Sequence, residues 1–451
     1  MMWWCEHAWL GGDTVEAGVL ISVVDGRVAA IEPNTTPDTA VNRLYGLVIP
    51  GMANAHSHVF HRALRSRTQR DRGSFWTWRD QMYHAANRLD PDRYRDLARA
   101  VYAEMALAGI TSVGEFHYLH HDAGGRRYSD PNAMGHALIE GAADAGVRLT
   151  LLDTCYLSSA PDGTELTGHQ QRFGDGTSAD WAQRVEALRQ EVTSPDVIVA
   201  AALHSVRGVP AAQMPEVVNW GDAHRRPLHV HSSEQKAEIE QCLAVYGRTP
   251  TAVLHDAGAL GPRTTAVHAT HLTTEDIEDL DRTATGVCFC PTTERDLGDG
   301  IGPAPDLIDA RGLFSLGSDS HAVIDMFEEA RAVELNERLA RKERGVIAAS
   351  RLLDAATRDG QLALGWGDAG RLAVGHRADF VAVNMNSVRT AGGQMAAESV
   401  VFAASAADVT DVVVDGRQVV ADGRHVRVDV AAELSRTIAD LMDVSQEAVQ
   451  S

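Results

Sequence analysis

The sequence predicts an α/β fold: a (β/α)8 TIM-like barrel carrying a small β-sandwich domain built from the N- and C-terminal segments. Three observations predict it. Both chain ends read as β-hairpins, short apolar strands alternate with amphipathic helices between them, and reactive side chains gather at the C-terminal ends of those strands.

Near the start, GVLISVVDGRVAAIEP places a turn at Asp25-Gly26 between two apolar runs. Near the end, DVVVDGRQVVADGRH repeats the device at Asp415-Gly416 and Asp422-Gly423. The middle region holds eight candidate strands: VIPGMANAHSH, TSVGEFH, RLTLLDTCY, VIVAAALHS, PLHVH, TTAVHA, GVCFCP and LFSLGSDS. Helix signals separate them. Asp90 and Pro91 open a run that closes at Gly109, and Thr273 with Asp276 forms a capping box. The expected division is 1–47 with 371–430 for the sandwich, 48–370 for the barrel and 431–451 for a C-terminal helix.

At 451 residues and 44% hydrophobic, the chain is long enough to divide into a barrel and a satellite, since cores beyond about 250–300 residues tend to split. A net charge of -21 repels phosphate backbones and anionic lipids, so neither nucleic acid nor a membrane surface is an expected partner. An anionic substrate then needs a local basic pocket. The five cysteines form no disulfide pattern, which suits a reducing compartment, and Cys288 and Cys290 read as alternating strand residues. MMWWCEHAWL lacks a basic leader, and no run approaches the roughly 18 apolar residues of a membrane span. A soluble, cytoplasmic protein is expected.

His58, His117, His204, His231, His268 and Asp319 fall at or just beyond strand ends, which in a barrel form one face. In NAHSHVF, the strand period of two turns His56 and His58 to the same side. HVHSSE adds His231 and Glu234, AVHATH adds His268, and LGSDSH adds Asp319. Three imidazoles and a carboxylate suit a zinc ion with a position left for water, and one histidine and one glutamate remain for proton transfer. His229, two residues before His231, faces inward by the same periodicity, so either is geometrically open to a metal.

These segments, with CPTTERDLGDG and GSDSHAVID, resemble the amidohydrolase superfamily in its single-metal deaminase branch. GRLAVGHRADFVAV, with Asp379, resembles the return from barrel to small domain in such enzymes. The resemblance implies His56, His58, His231 and Asp319 as ligands of one zinc ion per chain, with Glu234, His268 and Asp319 as catalytic residues. It favours His231 and leaves His229 as a packed barrel histidine. His271, His321 and the histidines of FHYLHH read as supporting or surface groups, and Asp325, Glu328 and Glu329 as carboxylates expected at a helix start.

Over nearly the whole chain, GSFWTWRDQMY, GEFHYLHH, LHSVRGVP, RTPTAVLHDAGALG and CPTTERDLGDGIGP resemble the formimidoylglutamate deiminase family. That resemblance implies hydrolysis of N-formimidoyl-L-glutamate to N-formyl-L-glutamate and ammonia, a step of histidine degradation. A substrate with two carboxylates needs a guanidinium clamp. Arg207, beside His204 after strand four, is the expected clamp, with Tyr118 as a hydroxyl donor and His61 and Arg79 at the barrel mouth; Trp76 and Trp78 become pocket candidates. A homodimer is expected from the same resemblance. The competing reading keeps the metal and assigns a purine, pyrimidine or imidazolone ring as substrate. A noncatalytic zinc-stabilised protein is the third, and Glu234 and His268 argue against it because a structural ion needs neither.

Overall fold

A computed structural model describes residues 1–69 and 75–442, with the side chains of residues 75–77 outside that description. Trp76 and the last nine residues of the expected C-terminal helix therefore lie outside the described residues; the helix runs Val430–Met442 within them.

The barrel is built from β5 (Met52–Ser57), β6 (Ile110–His117), β7 (Arg148–Cys155), β8 (Val197–Leu203), β9 (Leu228–Ser232), β10 (Thr264–His268), β11 (Gly286–Phe289) and β12 (Phe314–Leu316). All seven adjacent pairings are parallel and in sequence order. Each strand of the expected eight is present. The first was read as one run from Val48; the chain instead ends β4 (Asn42–Pro50) in the other sheet and starts β5 after Gly51, which is pressed between Thr111 and Asp379.

Closure falls between β12 and β5 and is made by few contacts. Asp319 N–H donates to the His56 carbonyl (3.0 Å), and His58 N–H donates to the Asp319 carbonyl (3.3 Å). One layer below, Asn54 takes the place of a ladder rung: its Nδ2 donates to Ser318 Oγ (2.7 Å) and its Oδ1 accepts from Ser318 N–H (2.9 Å). Gly317 is required at this seam, because a Cβ there would stand 2.7 Å from that of His56. The barrel's lower end is stoppered by the segment after the helix Ala349–Asp354. Its Leu364 carbonyl accepts from Thr150 (2.8 Å), and its Ala363 carbonyl lies 3.0 Å from His229 Nε2. With the bottom filled, the open face is the upper one.

The second sheet is mixed and holds both chain ends, in the order β16-β15-β14-β13-β4-β1-β2-β3. Its remaining strands are β1 (Met2–Trp9), β2 (Val15–Val24), β3 (Arg27–Glu32), β13 (Phe380–Val383), β14 (Val409–Val414), β15 (Arg417–Ala421) and β16 (Arg424–His425). The three Asp-Gly turns lie where expected, each with both residues at positive φ (Asp25 48° and Gly26 75°, Asp415 48° and Gly416 75°, Asp422 49° and Gly423 70°). That is the hairpin turn whose twist matches its strands. Trp3, Val19, Ile21 and Phe380 centre this sheet's own core. Between β13 and β14 the chain leaves the sheet, and the helix Ala397–Phe402 packs on the barrel helices Met326–Arg341 and Ala349–Asp354.

Arg148, at the foot of β7, and Asp379, just before β13, form a buried ion pair that joins the two sheets. Asp379 also accepts from Asp415 N–H (2.8 Å), so the pair is held by hydrogen bonds on the sheet side as well. Among the described residues, no helix is long and apolar enough to cross a membrane.

Candidate active site

Alternation along β5 sends His56 into the barrel and turns Ser57 away, so that His56 and His58 meet the site while Ser57 anchors the strand. Ser57 Oγ donates to Glu115 (2.8 Å) and lies 3.1 Å from His321 Nε2, and Glu115 also accepts from Val59 N–H (2.7 Å). Burial pushes the Glu115 carboxyl up to about 8.

Across the barrel, His231 comes from β9 and Asp319 from the turn after β12. His56 Nε2 and His58 Nε2 each lie 3.3 Å from Asp319 Oδ1, and His56 Nε2 lies 3.0 Å from His231 Nε2. The donor atoms of all four residues fall within 4.8 Å of one another. His58 Nδ1 donates to the Phe116 carbonyl and His231 Nδ1 to the His204 carbonyl, both at 3.0 Å, which leaves the two Nε2 lone pairs facing inward. Burial first, then the neighbouring imidazoles, holds His231 well below its ordinary value and His58 at about 3. Neutral nitrogens thus converge on Asp319. Burial opposes ionisation of that carboxyl, but the hydrogen bond and charge of His56, with His58 and His268, keep it well below the usual range. His56 Nδ1 is buried with no hydrogen-bond partner among the described residues. Three imidazoles turned inward beside a carboxylate, with His56 Nδ1 unpaired among the described residues, make a donor set that fits a divalent ion with an imidazole preference.

Next to this cluster stand the candidate acid and base groups. His268 Nε2 lies 3.8 Å from Asp319 Oδ2 and 3.9 Å from Glu234 Oε1, and its Nδ1 lies 3.4 Å from Glu294. Burial pulls His268 down, but Glu234, Glu294 and Asp319 together raise it well above its ordinary value. Burial raises the Glu234 carboxyl against the pull of His268. His268 (φ 70°), Asp319 (φ 43°) and Ser233 (φ 54°), which precedes Glu234, all adopt left-handed backbone, a conformation that costs energy and turns each side chain out of strand alternation.

A cavity opens from these groups and is lined by every residue expected at the substrate: Arg207, His204, Tyr118, His61 and Arg79, along with Trp78. Arg207 carries its guanidinium into the cavity without a hydrogen bond or ion pair to another described residue. Burial lowers its proton affinity, yet Glu238, Tyr156 and Glu234 at longer range raise it further, so it is a cation. Tyr118 Oη lies 3.1 Å from His61 Nε2, and the His204 ring stacks on Tyr156 at 3.9 Å between centroids. The Arg79 guanidinium sits 5.6 Å from the centre of the Tyr83 ring.

Tyr83, Tyr156, Gln170 and Phe173 complete the walls and were not read from the sequence. Tyr156 had a signal, since it directly follows the end of β7. Gln170 and Phe173 come from the short helical turn Gly168–Phe173 in a long loop and had none.

Two expectations, on His117 and Cys290, need correction. His117 ends β6 but points away from the site, because Phe116 takes the inward position against His56, His58 and His231. His117 packs instead by His120 and Tyr94, near a buried network in which Arg184 binds Asp153 and Asp175. His120 and His121 are buried in that network, the supporting one of the two roles expected for them. Cys288 lies in β11 as expected, but Cys290 lies beyond it, with its thiol among the donor atoms of His268 and Asp319. Asp325 caps the helix Met326–Arg341, accepting from Phe327 and Glu328 N–H, and Glu329 is buried against Thr292.

The model of the amidohydrolase family matches residues 47–419. The chain is 36% identical to the formimidoylglutamate deiminase of Pseudomonas aeruginosa, over 93% of this chain and 94% of that one. Among solved structures, an amidohydrolase from Brucella melitensis superposes with a TM-score of 0.90 at 31% identity, covering 98% of this chain and 100% of that one. An adenosine deaminase from Xanthomonas campestris, solved with bound zinc, superposes with a TM-score of 0.83 at 23% identity over 97% of each chain, which speaks for the fold alone.

Proposed function

The chain belongs to the amidohydrolase family and is a hydrolase acting on C–N bonds, and from that premise we propose that it deiminates N-formimidoyl-L-glutamate, giving N-formyl-L-glutamate and ammonia, in histidine degradation. The observation that carries the substrate is the uncommitted Arg207 guanidinium, in one cavity with Arg79 and with the candidate acid and base groups. On a chain of net charge -21, two guanidiniums in one cavity suit a small dicarboxylate. The 36% identity to a formimidoylglutamate deiminase supports the same reading. Aromatic walls would also suit a nucleobase ring, but a neutral ring gives Arg207 no carboxylate to bind.

His56, His58, His231 and Asp319 are proposed to hold one zinc ion. When bound, zinc supplies Lewis acidity and brings the pKa of water down to about 7. Arg207 grips a carboxylate of the substrate, with Tyr118 Oη as a further donor, and the aromatic walls exclude bulk water. Asp319 Oδ2 takes the proton that water loses as it attacks the formimidoyl carbon, and the His268 imidazole, its Nε2 3.8 Å away, steadies the carboxylate as it does so. Glu234, whose carboxyl favours its proton, delivers it to the terminal nitrogen of the tetrahedral carbon. That nitrogen then leaves as ammonia while the remaining hydroxyl proton returns to the Glu234 carboxylate, and the carbon keeps oxygen as the formyl group.

A cytoplasmic homodimer completes the proposal. The test is ammonia release from N-formimidoyl-L-glutamate, with metal content measured on the same sample and Asp319→Ala as the control. Ammonia formed from guanine or cytosine but not from this substrate would replace the reading with the ring-specific one.

A further inference from the structure

The first donor set meets at Asp319 Oδ1; a second meets on the other side of the same carboxylate. His268 Nε2 approaches Asp319 Oδ2 at 3.8 Å, and Cys290 Sγ joins them, the three donor atoms lying within 4.8 Å of one another. None of the proposed catalytic steps uses the thiol. The pair is held in register by one carboxylate, because Glu294 Oε1 accepts from Cys290 N–H (2.8 Å) and lies 3.4 Å from His268 Nδ1. That contact leaves Nε2 as the imidazole atom turned toward the thiol and Asp319.

Three carboxylates stand around the single imidazole of His268: Glu294 Oε1 at 3.4 Å from Nδ1, and Asp319 Oδ2 at 3.8 Å and Glu234 Oε1 at 3.9 Å from Nε2. Asp299 is also buried, and its Oδ2 has no hydrogen-bond partner among the described residues. An imidazole nitrogen, a thiol and a carboxylate oxygen gathered in one buried space are a donor set that a second cation can occupy. Imidazole and thiolate together select borderline and soft ions over magnesium or calcium. A carboxylate using one oxygen for each of two ions is a common two-metal arrangement, with the ions about 3.5–4 Å apart.

We propose that His268, Cys290 and Asp319 form a second, inhibitory site for a thiophilic divalent cation, with zinc in excess or cadmium as its occupants. The proposal rests on the preceding reading, in which Asp319 serves the first ion and His268 steadies its carboxylate. Coordination breaks the Cys290 S–H bond, the proton leaving to solvent, and removes any proton on His268 Nε2. It takes up the Asp319 oxygen that accepts the proton from water and the imidazole beside it, so the doubly loaded enzyme is inactive.

The test titrates cadmium into enzyme loaded with one equivalent of zinc, following bound metal, the ultraviolet cadmium–thiolate absorption and ammonia release. A second equivalent binds, the thiolate band grows with it, and activity falls in proportion. Cys290→Ser keeps its activity with one equivalent of zinc, shows no thiolate band, and needs roughly 10–100-fold more cadmium for half inhibition. Cys288→Ser behaves as the unaltered enzyme. Inhibition without a thiolate band, a band that survives Cys290→Ser, or a band lost only in Cys288→Ser overturns the proposal. If Cys290→Ser loses its one-zinc activity, Cys290→Ala provides the comparison, and the titration of the unaltered enzyme still decides by whether band and inhibition coincide. Failure of the first-site reading registers separately, as chelated enzyme whose activity one equivalent of zinc does not restore.

Discussion

Arg207→Ala is expected to cripple turnover while leaving the metal centre whole. The guanidinium has no hydrogen bond or ion pair to another described residue, so its removal strands no protein partner, and the loss is confined to the substrate. A buried bidentate pair offers a carboxylate two charge-assisted hydrogen bonds of about 1.5–3 kcal/mol each, and water admitted to the vacated space recovers part of that. A net loss of about 3–4 kcal/mol corresponds to a roughly 10²–10³-fold fall in kcat/KM. The carboxylate is remote from the reacting carbon and is bound alike before and during reaction, so most of the fall belongs in KM. Arg207→Lys keeps the charge without the fork and recovers only part of the loss. The assay is ammonia release over a range of substrate concentrations, with bound metal measured in parallel. A kcat/KM within about threefold of the unaltered enzyme refutes the carboxylate clamp. A loss of metal equal to the loss of activity refutes its independence from the centre.

Glu234→Gln should lower kcat by roughly 10²–10⁴-fold with metal content unchanged, since it removes only the proton carrier; single-turnover ammonia release checks this. Arg148→Met leaves the buried Asp379 carboxylate without its cation and should destabilise the chain by about 3–5 kcal/mol in urea unfolding, without altering the metal requirement. Asp175, held well below the carboxylate range by Arg184 and His121 against the effect of burial, contributes stability that is present above its unfolded pKa of about 4 and fades as pH falls through its lower folded value. Asp175→Asn should therefore cost stability fully at pH 6 and less at pH 3, measured by denaturant unfolding; an unchanged difference at the two pH values contradicts the assignment.

The barrel, its eight strands and the three Asp-Gly hairpins were legible because each rests on a local signal: an apolar run, a cap or a turn dipeptide. The convergence of His56, His58, His231 and Asp319 was legible because strand period and strand ends fix which side chains face inward. His117 shows where that rule stops. A residue at a strand end faces in or out according to parity, and in FHYLHH either Phe116 or His117 satisfies the pattern until the register is known. Gln170 and Phe173 were hidden because a loop's path depends on what it packs against, here Tyr83 and Tyr156. The position of Cys290 depends on how the chain turns into the helix Pro291–Leu297, which reading β11 as a simple alternation does not supply.

The placement of Asp319 ties the chemistry to the fold. Its backbone makes the bonds that close the barrel against β5, and its side chain meets both imidazoles of that strand. It does so at φ 43°, which costs energy unless surrounding contacts enforce it. Those contacts are the Asn54–Ser318 clamp below and the close passage of Gly317 over His56. The seam has only a few hydrogen bonds, so an ion held by His56, His58, His231 and Asp319 would bridge β5, β9 and the turn after β12 across the weakest point of the barrel. Ligand geometry exists only in the closed barrel, and binding free energy at such a site is therefore also closure free energy. The strained turn is best understood as part of that exchange: backbone strain at Asp319 sets the carboxylate where strand alternation would not, and an ion held by that carboxylate would offset the strain.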